Sequence, residues 1–264
     1  MVSTASVLVS NLDTVLTMPA QRPEQVTTAP LDVVREVRTS LADAADPTEA
    51  PQMQAYMKSE MPFRGVTAPA LKQLCRGVFD AQRLEDRSAW ESALLELWDG
   101  AGFREERYAA LALAAHRYYR GYQDLHTLDL YRHLVETGAW WDFVDAIASR
   151  GVGPILRASF DDVAPKVRTW AVDDHMWLRR TAILCQLASK AETDPDLLAY
   201  AIDANLDESR FGREFFIRKA VGWALREYAK TDPAWVVEFV DRRSDRLSGL
   251  SRREALKNLI TRVS

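Results

Sequence analysis

The chain has 264 residues, 47% hydrophobic and 27% charged, which suits one large globular domain or two small ones and excludes a disordered chain. Its two cysteines, Cys75 and Cys185, stand far apart and the four histidines form no HExxH, so a cysteine-built metal site, a disulfide framework and a zinc-protease site are all excluded. The net charge of −4 does not advertise a polyanionic partner, yet residues 205–264 carry 13 Lys and Arg against 9 Asp and Glu, a local surplus that permits one basic face.

No apolar run approaches the roughly 20 residues of a bilayer span. The first residues lack a basic stretch, and Asn11 and Asp13 interrupt their apolar run, so no secretory signal and no membrane partner are expected. A reducing cytoplasm is the expected compartment. Strand signals are poor, with no Asn-Gly or Asp-Gly turn between alternating apolar runs. Stretches rich in Ala, Leu, Arg and Glu dominate, and these are strong helix formers.

In chain order, residues 1–29 read as a flexible tail rich in Ser, Thr, Val and Ala, with Pro19 and Pro23 inside it and Pro30 just beyond. An ordered domain is expected over residues 30–264. Its apolar positions follow the helical period. Ala109, Leu111, Leu113 and Ala114 mark one helix, Ile183, Leu184 and Leu187 another, and Val221, Leu225 and Tyr228 a third. Breakers fall at Asp46-Pro47, Gly100 to Gly102, Gly151 to Pro154, Asp194-Pro195 and Asp232-Pro233. The two late Asp-Pro pairs suit helix starts, with Asp as the cap and Pro in the first turn. Gly151 to Pro154 reads as a loop.

A short pattern, Arg-x-Ala, opens an apolar helix at Arg107, Arg180, Arg218 and Arg253. The separations are 73, 38 and 35 residues, the first about two periods. A period of roughly 35–40 residues in helix pairs marks a helical repeat array. No TPR consensus is present, so HEAT-like pairs are expected, stacked into an all-α, right-handed solenoid with a concave binding face. The missing repeat should fall near residue 143, where the chain reads Trp140-Trp141-Asp142-Phe143-Val144-Asp145. Asp145 stands roughly where a small apolar Ala is expected.

Trp141 and Asp145 are four apart and share a helix face. An aromatic plane beside a carboxylate suits a cationic ligand. Taken alone, the pair reads more simply as a core tryptophan with a capping or ion-paired aspartate.

The segment Trp140 to Asp145 resembles the WWDxVD motif of the HEAT-like DNA alkylation-repair glycosylases of the AlkD type. The resemblance continues through Tyr56-Met57-Lys58, Pro62-Phe63-Arg64-Gly65-Val66 and Ala68-Pro69, then Trp177 to Leu184. It runs on through Glu214 to Ala220, Gly222-Trp223, Leu225 to Ala229 and Leu250 to Ala255, in order over about residues 31 to 260.

That resemblance implies hydrolysis of the N-glycosidic bond of N3- or N7-alkylated purines in double-stranded DNA, without full flipping of the base. The alkylated base is cationic, so its bond is already weak and no leaving-group acid is required. One carboxylate then suffices, unlike the pair used by sugar glycosidases. By the same resemblance Asp145 stabilises the developing sugar cation and orients water, and Trp141 packs on the sugar and backbone. Trp223 forms a second aromatic wall, and Arg180 holds a neighbouring phosphate. Arg213, Arg218 and Lys219 are implied backbone contacts. Tyr56 and Thr67 resemble positions in a segment near the DNA, although Thr67 stands where a Gln is common. No cofactor is implied, no coiled coil or exposed apolar helix asks for a dimer, and a monomer acting at the nucleoid is expected.

Two other readings compete. Gly151-Val152-Gly153 followed by Val172 to His175 superficially resembles a helix–hairpin–helix glycosylase, but the leading Leu-Pro and the hairpin lysine are missing. A HEAT-type scaffold that binds DNA structure or protein without catalysis is the other. Retention of Asp145 and Arg180 favours an enzyme.

Overall fold

The computed structural model describes residues 27–260. Most of the segment read as a tail, residues 1–26, lies outside the described residues. Fourteen α-helices follow: α1 (Pro30–Asp43), α2 (Ala50–Met57), α3 (Ala68–Ala81), α4 (Arg87–Asp99), α5 (Arg104–Ala114), α6 (Thr127–Gly138) and α7 (Trp141–Ala146). They continue with α8 (Gly153–Ala158), α9 (Phe160–Ala171), α10 (Met176–Leu184), α11 (Pro195–Asp203), α12 (Phe215–Tyr228), α13 (Pro233–Arg242) and α14 (Gly249–Ile260). Among the described residues, β-structure is limited to one isolated bridge between Thr27 and Arg83.

Local chemistry sets the helix starts. Asp194 and Asp232 do cap α11 and α13. Their carboxylates accept the amides of Leu197 at 2.6 Å and Trp235 at 2.9 Å, with Pro in the first turn. Each satisfies one amide that the helix itself leaves unpaired. Asp86 caps α4 in the same way through Ala89.

The helices stack as an all-α solenoid in two layers. In one layer α3 packs on α5, α5 on α7, α7 on α10, α10 on α12 and α12 on α14. In the other, α1 packs on α4 and α9 on α11, while α4, α6, α9 and α13 join their partners α5, α7, α10 and α14. The core between them is continuous and includes the fully buried Trp90, Trp98 and Trp170. Burying one large apolar side chain contributes about 1.5–3 kcal/mol, so the many buried Leu, Val and Ile explain how short helices hold together.

The Arg-x-Ala pattern maps onto the first layer, on α5, α10, α12 and α14. Its alanines, Ala109, Ala182, Ala220 and Ala255, are all buried. A small residue there lets successive helices approach. The helix between α5 and α10 is α7, so the missing repeat lies at the expected place in the stack. Asp145 is the fifth residue of α7; the pattern's arginines are fourth or fifth, and its alanines sixth or seventh, on their own helices.

One correction concerns Gly151 to Pro154. These residues are helical, not a loop: α7 runs through a π turn (Ile147–Val152) directly into α8. The Gly153 amide donates to the carbonyl of Ala148, five residues back. Pro154 has no N–H to offer the ladder, so a local change of pitch is tolerated. Gly153 is required by packing, because a Cβ there would lie 2.3 Å from the Cys185 carbonyl oxygen.

At the other end, the Pro62–Val66 segment is strapped to α5. The fully buried Glu105 carboxylate accepts the amides of Arg64 and Gly65 at 3.0 Å and Val66 at 3.2 Å. Gly65 has a φ of 84°, and a Cβ there would sit 2.0 Å from the Asp46 carbonyl oxygen. Glycine alone suits both demands.

Candidate active site

The centre of the site is a buried carboxylate–guanidinium couple. Arg180 of α10 donates Nε to Asp145 Oδ1 at 2.8 Å and Nη2 to Oδ2 at 2.9 Å. This two-point geometry is the strong form of the contact. Its Nη1 donates to the Phe216 carbonyl oxygen, so Arg180 ties α7, α10 and α12 together. The guanidinium is nearly covered, whereas 13% of the Asp145 side chain remains open to solvent. Each carboxylate oxygen keeps a lone pair that Arg180 does not use. Nη1 and Nη2 each keep one N–H for another acceptor.

Burial pushes the Asp145 carboxyl above its usual range; the Arg180 contact pulls it down, and the negative Asp142 three residues away adds to the upward push. The result is a carboxylate whose ionised form is held by one partner inside a poorly hydrating site. Directly after it, the chain enters the π turn, and Ser149 Oγ donates to the Asp145 carbonyl oxygen at 2.7 Å. Such turns recur at functional positions.

The local chain geometry places the tryptophans. Helix α6 ends on Ala139 in the left-handed region, with φ of 38°, and Trp140 caps α7 in extended conformation. Trp140, Trp177 and Phe216 form a cluster: Trp140 lies 5.5 Å from Phe216 and 6.2 Å from Trp177, and Trp177 lies 5.0 Å from Phe216. The Arg180 guanidinium stands 5.9 Å from the Phe216 ring. Trp141 and Trp223 are both half-buried and packed against the core.

Of the expected backbone contacts, Arg213 is exposed and has no ion pair among the described residues. Arg218 is half-buried, its Nε is without a hydrogen-bond partner, and its carbonyl accepts Ser251 Oγ at 2.9 Å. Lys219 pairs with Glu254 at 3.1 Å, and Arg226 pairs with the same carboxylate. Tyr56 is 77% exposed near the end of α2, and Thr67 is exposed at the start of α3.

The structure joins Asp145 directly to Arg180 and sets Trp141 one turn before Asp145 on the same helix. None of the hydrogen bonds or ion pairs described for that couple involves Trp223, Tyr56 or Thr67. Sequence reasoning missed Trp177, Phe216, Arg104 and Tyr108. The last two reach the α7 motif through Asp142, with Arg104 Nη2 and Tyr108 Oη each 2.6 Å from its carboxylate. Asp142 stands inside the WWDxVD segment, so it was visible; its partners lie on another helix and carry no local signal.

Other chemistry is disfavoured. The Cys75 and Cys185 thiols are buried and pushed up to about 12, so neither supplies a thiolate at neutral pH. Two cavities, one of about 180 Å³ between the ends of α10 and α12 and one of about 300 Å³ beside α8 and α11, are lined by none of Asp145, Arg180, Trp141 or Trp223. No helix among the described residues is long and apolar enough to cross a membrane.

The site is thus the buried Asp145–Arg180 couple, set near half-buried tryptophans in a solenoid of helix pairs. The model of the DNA alkylation repair enzyme family matches residues 37–259, and the chain belongs to that family. Among solved structures it is similar to a predicted DNA alkylation repair enzyme from Enterococcus faecalis, at 31% identity and a TM-score of 0.71, over 81% of this chain and 95% of that one. No curated protein matches it. Membership places the protein in the repair of alkylation damage, with DNA as the substrate.

Proposed function

We propose that the protein is a monofunctional DNA glycosylase that excises N3- or N7-alkylated purines from double-stranded DNA, as the first step of base excision repair. The observation that carries this reading is the Asp145–Arg180 couple: a buried carboxylate, still open to solvent at one edge, on the same helix as a half-buried tryptophan.

The substrate base is already cationic, so it leaves as a neutral purine when the bond electrons pass to it. The sugar is left as an oxocarbenium-like cation. Asp145 stabilises that charge in a site that hydrates it poorly, where a fixed negative group is worth most. Water bound to the free lone pairs of the carboxylate adds to the anomeric carbon, its proton leaves to solvent, and an abasic site results. Arg180 holds Asp145 in place and offers its two unused N–H groups to a phosphate beside the lesion. Trp141 and Trp223 pack on the damaged nucleotide, and Arg213, Arg218, Lys219, Tyr56 and Thr67 contact the duplex. Action at the surface of the duplex, without full flipping of the base, belongs to the same reading. The chain acts as a HEAT-like monomer at the nucleoid.

The test is base release from duplex DNA containing N7-methylguanine, by the wild type and by Asp145→Asn. Loss of about 10²–10³-fold in the variant is expected, the size found when one preorganised hydrogen-bond donor to a developing charge is removed. Equal activity of the two would move the chemistry elsewhere. DNA binding without release by either would favour the non-catalytic scaffold.

A further inference from the structure

Helix α7 carries two carboxylates three residues apart, and each is taken by a buried arginine from an opposite neighbour. Asp145 meets Arg180 of α10, and Asp142 meets Arg104 of α5. The second contact is a closed network. Arg104 Nη2 donates to Asp142 Oδ1 and Tyr108 Oη donates to Oδ2, both at 2.6 Å, while Arg104 Nε donates to Tyr108 Oη at 3.0 Å. Burial first, and the Asp142 charge next, hold the Tyr108 phenol above its usual range, so it remains a donor.

Arg104 also lies 4.1 Å from the Phe143 ring centroid and donates Nη1 to Ser59 Oγ at 3.3 Å, three residues past the exposed Tyr56. Only 7% of the Arg104 side chain and 13% of Asp142 are exposed, so solvent does little to loosen these bonds. Arginine and tyrosine together occupy both oxygens of Asp142 and leave it little freedom to rotate.

We propose that Arg104, Tyr108 and Asp142 are positioning residues that clamp the first turn of α7 and so fix Trp141 and Asp145 against Arg180. Asp142 adjoins Trp141 in sequence and lies one turn before Asp145. A slip of this turn would move both. A misplacement of about 1 Å at a reacting group can cost on the order of 10²-fold in rate. The clamp also connects the segment after Tyr56 to the helix that carries Asp145. The positioning role rests on the glycosylase reading, whereas the clamp's hold on α7 does not.

Tyr108→Phe removes two bonds, the one to Asp142 and the one from Arg104 Nε, and leaves the Arg104–Asp142 ion pair in place; Asp142→Asn keeps the shape and removes the charge. Asp203→Asn, which breaks the Arg243 ion pair between α11 and α13, serves as the control for general loss of stability. Each protein is examined by hydrogen exchange over residues 140–150 and by single-turnover base release as a function of pH and DNA concentration. For Tyr108→Phe, exchange in α7 should rise about tenfold, and the rate at saturating DNA should fall about tenfold with half-saturation unchanged within about twofold. Asp142→Asn should also move the acid limb to lower pH, because the negative charge that helps raise the Asp145 carboxyl is then gone while Arg180 remains. The control should change none of these. Unchanged α7 exchange in both clamp variants, or a weakened half-saturation with an unchanged rate, would overturn the proposal. If α7 loosens as stated while even the wild type releases no base, the clamp stands and the glycosylase reading falls.

Discussion

Replacing Arg180 by Ala should destabilise the protein in a pH-dependent way. The substitution removes two bonds to Asp145 and one to the Phe216 carbonyl oxygen, all in a buried setting. Breaking a buried pair by removing one partner costs about 3–5 kcal/mol, mostly because the other charge is left unpaired. For a chain of this length about 1 kcal/mol moves Tm by roughly 2–4 °C, so a fall of about 10 °C is expected near pH 8. The penalty has an escape, because Asp145 can take up a proton.

Its carboxyl is already held high by burial, and loss of Arg180 removes the main influence that lowers it. The folded form then binds a proton more tightly than the unfolded form. Stability of the variant relative to wild type therefore falls as pH rises from the wild-type folded value, itself above the ordinary range, through the still higher value of the variant, by up to about 1.4 kcal/mol per pH unit. Urea unfolding at pH 5 and pH 8 measures this, with the double variant Arg180→Ala/Asp145→Asn alongside. The double variant should recover much of the loss at pH 8 and show little difference between the two pH values. Equal losses at pH 5 and pH 8, or no recovery in the double variant, would refute the idea that an unpaired Asp145 charge is the source.

Three further outcomes follow from the same geometry. Base release should require ionised Asp145, so its acid limb should lie above the ordinary aspartate value of about 4; a limb at or below that value, in a pH profile on N7-methylguanine DNA, would contradict the burial argument. Glu105→Ala leaves the amides of Arg64, Gly65 and Val66 without their acceptor and should cost about 3–5 kcal/mol; chemical denaturation, with proteolysis in the Pro62–Val66 strap as a second readout, checks it. Gly153→Ala forces a Cβ to within 2.3 Å of the Cys185 carbonyl and should cost about 1–3 kcal/mol by overpacking, measurable as a drop in Tm.

The sequence by itself determined the helical class, because periodic Leu and Ala with Asp-Pro caps leave few alternatives, and the caps act through residues three apart. It also determined that Trp141 and Asp145 share a short helix, since a spacing of four is a local property. The Arg-x-Ala pattern was legible for a related reason: the same small residue is needed wherever one layer's helices meet. Gly151 to Pro154 misled, because glycine and proline read as breakers when their neighbours are unknown. Here Gly153 is a contact against Cys185, and the π turn accommodates Pro154. Only the tertiary structure decided that Arg180, 35 residues on, closes over Asp145. It alone also paired Asp142 with Arg104 and Tyr108. Such partners are chosen by which helix faces which across the stack, and that depends on how the whole core packs, not on any window of the chain.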